Sequence, residues 1–330
     1  MEIYPIWKDV VHTVEVNGEY YDYEVRDDEE NTLYRGRAYK LPNETTADIP
    51  IAKIVRPHIS GEITIDDNTT LGIHHVTAWS KKVKIYDMVS EGVVAEYLFY
   101  GDWSYNKGRD LVEDAPAKVS ASLSNVADRR QFILCSVADI GADPRQAVRI
   151  ASSGSTIYTE RMTSDMCTLA IDASNPRLKD KVVIYCGSAK VAEYPIADTC
   201  ASHALYYMND MGGWDYLLVT GNVTREDSFE RVSMTRKVSN LTNEHGDVVV
   251  GESITRTWRL YTDYLTDAQW ALMYQLYGST SVYLHDLESG EITPVTITND
   301  RATFKTFANQ GKKKSYAEIN VKAAQPRYRR

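Results

Sequence analysis

The segment from Ile254 to Val321 constrains the fold more than any other stretch, because it carries signals for both kinds of secondary structure together with their boundaries. Large side chains alternate with threonines over residues 254–260, which predicts a strand of period two. Thr266 and Gln269 stand three residues apart, as in a capping box that begins a helix. The segment therefore predicts a strand that leads directly into a helix.

The predicted helix has a recognisable start, apolar face and end. Leu265 and Trp270 are spaced as a hydrophobic staple around the N-cap. Gly278 is placed to stop the helix in a left-handed conformation. A helix of about three turns is expected. Its apolar stripe would consist of Trp270, Met273, Tyr274 and Tyr277.

Four further strands are predicted after the helix. Residues 281–284 and 292–297 read as a hairpin with its turn at 288–290, where Gly290 supplies the glycine. Residues 302–307 and 316–321 read as the last two strands. The whole unit is expected to follow the order β-α-β-β-β-β.

Several strings in this unit carry a resemblance to a known family. They are Trp258-Arg259-Leu260, the helix start Leu265-Thr266-Asp267, Val282-Tyr283-Leu284, Pro294-Val295-Thr296-Ile297-Thr298, and a closing strand before a short basic tail. Together they resemble the terminal domain of tailed-bacteriophage tail proteins of the distal-tail or baseplate-adaptor type. The likeness is one of pattern, and it implies a structural subunit without a catalytic signature.

The first hundred residues are predicted to be all-β. Residues 10–16 alternate, Asn17-Gly18 is a hairpin signal, and residues 20–25 would return as the second strand. The segment 49–59 contains Pro50 and Pro57, so it is expected to be at most an edge strand. The string Arg35-Gly36-Arg37-Ala38 followed by such an extended segment is similar to the same phage proteins.

Residues 119–219 are predicted to form a second β-rich region of the sandwich type, because short strands recur at regular spacing. The candidate strands are 132–137, 148–151, 156–161, 166–171, 182–186 and 190–195. The region ends in a hairpin whose turn contains Gly212-Gly213-Trp214. This hairpin also resembles phage tail structural proteins.

The expected fold class is mainly β, with antiparallel β-sandwich-like domains and a C-terminal α+β unit containing one short helix. Three domains are expected: 1–115, an N-terminal β domain; 116–222, a sandwich-like domain ending in the Gly-Gly-Trp hairpin; and 223–330, the α+β domain. Residues 221–251 are polar and rich in turn formers, so they are expected to project from the last domain as a loop or arm.

Composition and charge exclude several classes of function. A formal charge of −9 argues against a nucleic-acid partner, which a basic surface would attract. No stretch approaches the roughly 18 apolar residues of a membrane span, and the N-terminus shows no secretory signal, so membrane insertion is not expected. The four cysteines form no CxxC pair, which predicts reduced core thiols and no zinc site. They are Cys135, Cys167, Cys186 and Cys200.

No catalytic, metal-binding or cofactor-binding motif stands out, so the chain is expected to be non-enzymatic and to need no cofactor. Phosphate-binding glycine loops and the nucleophile elbow of hydrolases are absent from the sequence. A carbohydrate-binding or adhesin-like module remains the alternative, with a host-surface glycan as partner. It would use exposed Trp79, Trp103 and Trp214 beside polar residues such as Asp102 and Asp215.

The leading hypothesis is a virion structural protein that forms a ring in the phage tail, at the distal tail, baseplate or tail junction. Its partners would be copies of itself in a cyclic homo-oligomer and other tail proteins, and it would be made in the bacterial cytoplasm. The residues expected to make these contacts are Trp214, Asn243, His245, Val248, Lys312, Lys313, Lys314, Arg327, Arg329 and Arg330.

Overall fold

A computed structural model describes the chain over most of its length. The described residues are 1–6, 8–59, 73–76, 80–100, 117–118, 123–124, 126–139, 146–162, 166–209, 211–235, 247–299, 301, 315–325 and 327–329. The mainly-β fold class is confirmed, since strands dominate and only short helices interrupt them. None of the helices in these ranges is long and apolar enough to span a membrane.

The N-terminal region forms eight strands and one short helix. They are β1 (Glu2–Pro5), β2 (His12–Glu15), β3 (Tyr20–Asp27), β4 (Thr32–Tyr39), β5 (Thr46–Ile49), α1 (Ile51–Val55), β6 (Ile73–Val76), β7 (Ser80–Asp87) and β8 (Val93–Tyr100). Five of the strands make a sheet in the order β1-β8-β7-β3-β4, in which only β1 and β8 are parallel.

The predicted hairpin at Asn17-Gly18 is wrong. Strand β2 pairs with β5, with Val14 opposite Ala47, and the Val16 N–H donates to the carbonyl of Thr45. Strand β3 has β4 on one edge and β7 on the other, so it has no edge left for β2. The long-range pairing therefore replaces the local one that the turn signal indicates.

The proline-bounded segment is also different from the prediction. It continues from β5 into α1 and then into a 3₁₀ turn at Arg56–His58, in place of an edge strand. Ile51, Ala52 and Val55 are buried, which is the spacing of one helix face. Pro50 and Pro57 are compatible with either an extended segment or a short helix. Burial of the helix face against the core favours the helix.

The middle region is confirmed as sandwich-like. Its strands are β9 (Ala117–Lys118), β10 (Ala127–Asp128), β11 (Phe132–Ala138), β12 (Ala147–Ser152), β13 (Ser155–Arg161), β14 (Met166–Asp172), β15 (Lys181–Cys186) and β16 (Ala189–Ala197). One sheet has the order β10-β16-β15-β12-β13, and the other has the order β6-β14-β11-β9. Side chains of both sheets, among them Ile184 and Leu169, belong to one hydrophobic core. All six predicted strands of this region are present.

The C-terminal region forms the largest sheet. Its elements are β17 (His203–Met208), β18 (Trp214–Val219), β19 (Val223–Thr235), β20 (Asp247–Leu265), α2 (Asp267–Gly278), β21 (Val282–Asp286), β22 (Ile292–Ile297), β23 (Ser315–Ala323) and β24 (Arg327–Arg329). The strand order is β18-β17-β21-β22-β23-β20-β19, and β24 also pairs with β20. The strand predicted over 302–307 lies outside the described residues.

This sheet is rolled so that the end of one edge strand, β18, lies close to the start of the other, β19. Strands β18 and β19 stand at opposite ends of the strand order, yet residues 220–222 alone connect them. A flat sheet of this width would separate its edges by about 29 Å, whereas so short a connection spans at most about 14 Å. The Gly221 N–H donates to the carbonyl of Tyr261, which ties the connection to β20. We call this element the rolled sheet.

Helix α2 begins as predicted and ends differently. Both hydrogen bonds of the Thr266 and Gln269 capping box are present. Trp270, Met273 and Leu276 are buried in the core of the rolled sheet, whereas Tyr274 is exposed, so the predicted stripe was wrong at Tyr274. Gly278 is the last helical residue and is not left-handed, because the chain leaves the helix through an extended Ser279.

The hairpin of β17 and β18 is buried on both faces and joins the two main cores. Leu205 and Leu217 face the core of the rolled sheet. Tyr206 and Trp214 face the core that the sandwich shares with the N-terminal sheet. The division into three domains stays a prediction, although the rolled sheet contains strands from both sides of its boundary at 222/223 and β6 joins a sheet of the middle region.

Candidate assembly surface

The long antiparallel ladder of β19 and β20 is the most exposed regular element in the described part of the chain. Pairing runs from Val223 opposite Leu260 to Thr235 opposite Asp247, with an irregularity after Val232. We call these two segments, 223–235 and 247–260, the ribbon. The base of the ribbon lies in the rolled sheet, where Leu260 and Trp258 are buried, and the remainder extends away from that core.

Apolar side chains are exposed on both faces of the outer ribbon. Phe229 is 56% exposed, Val232 61% and Met234 52%, and on the opposite strand Val249 and Val250 are exposed to a similar extent. Side chains alternate between faces, so Phe229 lies on one face and Val232 and Met234 lie on the other. If one face of the ribbon packed against the protein and the other faced solvent, the positions on the solvent face would carry polar residues. Here the positions on both faces carry exposed apolar residues.

Ion pairs form within and between the two strands of the ribbon near its base. The Asp227 carboxylate accepts hydrogen bonds from Arg225 at 3.1 and 2.5 Å and from Arg256 at 3.1 Å. The hydrogen bond from Arg225 is the main reason that the pKa of Asp227 is held below its usual range, and Arg256 adds to the effect. Further out, Arg231 Nε donates to Glu252 across the two strands at 3.0 Å. The pairs between the two strands agree with the register of the backbone ladder, and the apolar side chains of the outer ribbon stay in solvent.

The structure brings two of the sequence-predicted contact regions together on the ribbon. Val248 is half-buried in the outer part of β20. Strand β24 pairs with the same strand, which places Arg329 opposite Glu252 and Arg327 opposite Ile254. The expected arm and the start of the expected basic tail are therefore neighbours. The other expected contacts there, Asn243, His245, Lys312, Lys313, Lys314 and Arg330, lie outside the described residues.

Trp214 is not at the surface, so the expectation that it makes a subunit contact is wrong. Its side chain is fully buried, with its ring centroid 5.8 Å from that of Tyr283. Its backbone N–H donates to Ser136 Oγ at 2.7 Å. The tight turn before it is held by Asn209, whose side-chain oxygen accepts from the N–H groups of Met211 and Gly213. Trp214 therefore anchors the hairpin inside the molecule.

The burial of Trp214 also removes it from the carbohydrate platform considered above. Asp215 beside it is buried, and its carboxylate accepts a hydrogen bond from Asn209 at 2.8 Å. Trp79, Trp103 and Asp102 lie outside the described residues. Within the described ranges, these residues form no exposed aromatic surface with polar edges.

A polar cleft of about 510 Å³ opens where the ribbon leaves the rolled sheet. Its lining includes Arg225, Arg256, His203 and Asp286. Burial lowers the pKa of His203, and the nearby carboxylate of Asp286 opposes that shift. The lining carries both signs of charge and presents no single kind of ligand group.

Two of the buried thiols have a strongly raised pKa. Cys135, Cys167 and Cys186 are buried, as expected, whereas Cys200 is exposed, contrary to the expectation. Burial raises the pKa of Cys167 to about 12 and that of Cys186 to about 11. Thiols of such high pKa are poor nucleophiles at neutral pH. In the described part of the chain, no three His, Cys, Asp or Glu side chains meet in a group that could hold a metal ion.

Sequence reasoning missed the ribbon as a regular element. Residues 223–235 were expected to be part of a polar, turn-rich arm, and they form the longest regular strand after β20. A usable signal was present, because neither glycine nor proline occurs between Gly221 and Gly246. The absence of both turn formers over such a length favours a regular element over a loop.

Comparisons with known proteins show no family for this chain. No protein-family model matches the chain, and no curated protein matches it. Two solved structures align with it at 8% sequence identity each. A Bacteroides ovatus mixed-linkage glucan utilization locus SGBP-B in complex with mixed-linkage heptasaccharide aligns over 78% of this chain and 59% of its own, with a TM-score of 0.19. A Salmonella alpha-2-macroglobulin mutant aligns over 92% of this chain and 24% of its own, with a TM-score of 0.18. The chain thus spans less than two thirds of either protein, and TM-scores this low carry no argument about fold or function.

Proposed function

We propose that this chain is a non-enzymatic structural subunit of a phage virion, which assembles into a ring in the tail through contacts of the ribbon. The tail location rests on the resemblance of the strings around Trp258, Thr266 and Trp214 to phage tail proteins. The assembly role rests on one observation, the exposure of apolar side chains on both faces of the ribbon. A ribbon of this kind is stable when another surface covers it.

The amount of apolar surface on the ribbon decides what kind of contact is needed. Full burial of one such side chain stabilises by about 1.5 to 3 kcal/mol, so covering the exposed half of each contributes about 1 kcal/mol. The five exposed residues named above would together contribute about 5 kcal/mol, whereas association costs about 4 to 15 kcal/mol. The apolar side chains therefore need additional contacts, which backbone pairing or the repeated interfaces of a closed ring can supply.

The first test is the molar mass of the purified chain, measured by light scattering over a concentration series. We expect discrete multimers that dissociate on dilution. The triple variant Phe229→Ser, Val232→Ser and Met234→Ser should weaken association at least tenfold, because it removes three of the five exposed apolar side chains while the backbone pairing of the ribbon remains. Val89→Ser is the matched control, since Val89 is more exposed and lies in the turn between β7 and β8.

Two results would contradict the proposal. If the triple variant associates as tightly as the wild type, the ribbon does not form the contact between subunits. The tail location is tested separately, by labelling released phage particles with antibodies against the chain and viewing them by negative-stain electron microscopy. We expect labelled tails, and particles whose tails carry no label would rule out that location.

A further inference from the structure

The outer edge of β19 is an unusual sheet edge. Strand β19 pairs with β20 along one side, and within the described residues no strand pairs with its other side. Its 13 residues make it much longer than an average strand. Exposed edges are usually protected by charged side chains, lysine above all, by proline or by an irregular strand. Strand β19 contains no lysine and no proline, its five charged residues are of both signs, and the extra residue at the irregularity, Val250, belongs to β20.

We propose that this edge pairs antiparallel with the same edge of a second copy of the chain, about a two-fold axis at Phe229. The inference rests on the proposed function, because both require the ribbon to be covered in an assembly. In an antiparallel pair of identical strands the axis passes through one residue, which then faces its own copy. Residues equally far before and after that position face each other.

The order of charges along β19 fits this register. With Phe229 at the axis, Asp227 of each copy faces Arg231 of the other, which gives two ion pairs on the same face as the aromatic pair. Glu226 then faces Val232, and Glu230 faces Ser228. No like charges meet, and all 13 residues of β19 take part, since Phe229 is its middle residue.

Neighbouring registers are unfavourable for the same reason. An axis at Ser228 would place Arg225 opposite Arg231 and Glu226 opposite Glu230. An axis at Asp227, Glu230 or Arg231 would place that charged residue opposite its own copy. Directly opposed like charges destabilise a strand pair.

An axis at Val232 avoids like charges but is the weaker alternative. It forms no ion pair, and it pairs only residues 229–235 of β19. The register at Phe229 therefore has both the best charge match and the longest ladder.

The two charged partners are able to make the new contact. Asp227 accepts three hydrogen bonds from described residues of its own chain, and a carboxylate has about four acceptor positions. The remaining position is on Oδ2, which accepts from Arg225 alone among those residues. The Arg231 side chain is 63% exposed and uses Nε for its bond to Glu252, so its other guanidinium nitrogens can reach a neighbouring strand.

This contact adds to a ring and does not replace it. A two-fold contact closes on itself, whereas a ring is closed by contacts between different surfaces of successive copies. The β19 edge would therefore join copies in pairs, and the exposed apolar faces of the ribbon would make the contacts that close the ring.

Cysteine cross-linking tests the register directly. The Cys200→Ser background removes the exposed thiol. In it, Phe229→Cys should form a disulfide with its own copy under mild oxidation, because directly opposite residues have Cα atoms about 4.5 to 5.5 Å apart. Met234→Cys is the matched control, equally exposed on the same strand. In this register its two copies lie about 33 Å apart, so it should stay uncross-linked on a non-reducing gel.

A second pair of positions makes the test independent of Phe229. Glu226→Cys combined with Val232→Cys should cross-link, whereas neither single variant should, because each residue faces the other type. Arg231→Glu should weaken association at least tenfold, since it places two carboxylates opposite each other on both sides of the two-fold axis. The Glu230→Gln variant, which changes a charge that faces Ser228, is its control.

The possible failures of the two proposals differ. If the wild type forms multimers but Phe229→Cys cross-links no better than Met234→Cys, the two-fold pairing is wrong and assembly through the ribbon still stands. If the wild type assembles and neither the triple ribbon variant nor Arg231→Glu weakens it, the ribbon is not the contact and both proposals fail.

Discussion

At the scale of single residues, the buried His285 on β21 and its neighbour Tyr206 on β17 belong to a polar contact that joins the rolled sheet to β11 of the sandwich. Nδ1 of His285 is 2.9 Å from the Tyr206 hydroxyl, which also accepts the backbone N–H of Phe132. Tyr206 can donate its hydroxyl proton to Nδ1 while it accepts from Phe132, and in this arrangement the His285 ring is neutral with its proton on Nε2. Burial lowers the pKa of His285. A second proton on this ring would remove the acceptor for the Tyr206 hydroxyl.

Stability should therefore fall as the pH falls below about 6.5, the ordinary pKa of histidine in an unfolded chain. The lowered pKa in the folded state means that the unfolded chain binds more protons in this window. Urea unfolding at pH 7.5 and 5.5 should show a lower free energy of unfolding at pH 5.5 in the wild type. His285→Gln should show a smaller loss, because it removes this proton uptake.

The buried carboxylates Glu24 and Asp128 do not contribute to the difference in stability between pH 7.5 and pH 5.5. Arg26 is the main cause that holds the pKa of Glu24 at about 2, and hydrogen bonds from Arg130 and Thr199 do the same for Asp128 against the opposing effect of burial. Their stabilising contributions are lost only at much lower pH. His203→Gln is the control for the other histidine near the same junction. Equal losses in the wild type and in His285→Gln would contradict the assignment.

At the scale of elements, the connection between β18 and β19 is where the rolled sheet closes. A Cβ atom built at Gly221 would lie 2.5 Å from the carbonyl oxygen of Tyr261. The backbone atom cannot turn away as a flexible side chain could, so only glycine allows this close approach. The closing of the sheet therefore depends on one residue without a side chain.

Gly221→Ala should destabilise the fold by about 1 to 3 kcal/mol, the usual cost of forcing a methyl group into a packed site. The measurement is the free energy of unfolding in urea. Gly18→Ala is the control, because a Cβ at Gly18 meets nothing within 4 Å. If the Gly221→Ala variant were as stable as the control, β20 could shift to accommodate the methyl group without loss of stability. That result would contradict the requirement for glycine at this position.

At the scale of the whole molecule, the hairpin of β17 and β18 makes the two cores depend on each other. Trp214 packs into the core of the sandwich and the N-terminal sheet, and Leu217 packs into the core of the rolled sheet. Both residues belong to the same strand, so neither core can lose its packing without exposing the hairpin. We expect the two regions to unfold together.

Calorimetry and tryptophan fluorescence should therefore report one unfolding transition. Trp214→Ala should lower the free energy of unfolding by about 3 to 5 kcal/mol, and Leu217→Ala should lower it by about 2 to 5 kcal/mol. Tyr39→Ala is the control, since Tyr39 is 64% exposed. Two transitions, each sensitive to only one of these core substitutions, would contradict the coupling.

The sequence alone determined the elements whose signals are local. The capping box at Thr266 and Gln269, the hairpin turn at Gly290 and the turn before Trp214 depend on residues a few positions apart, and all three are present. The regular spacing of short apolar runs determined the sandwich-like class in the same way. These patterns act through backbone conformation and side-chain alternation, which neighbouring residues set by themselves.

Only the tertiary structure decided which strands pair and which faces are covered. It placed β2 against β5 in place of β3, made a helix after Pro50, buried Trp214, and set β24 beside the ribbon. Each of these outcomes depends on residues far apart in the chain that compete for the same sheet edge or the same core surface. The physical reason is that burial and edge pairing are shared among distant segments, so a local pattern cannot specify its own partner.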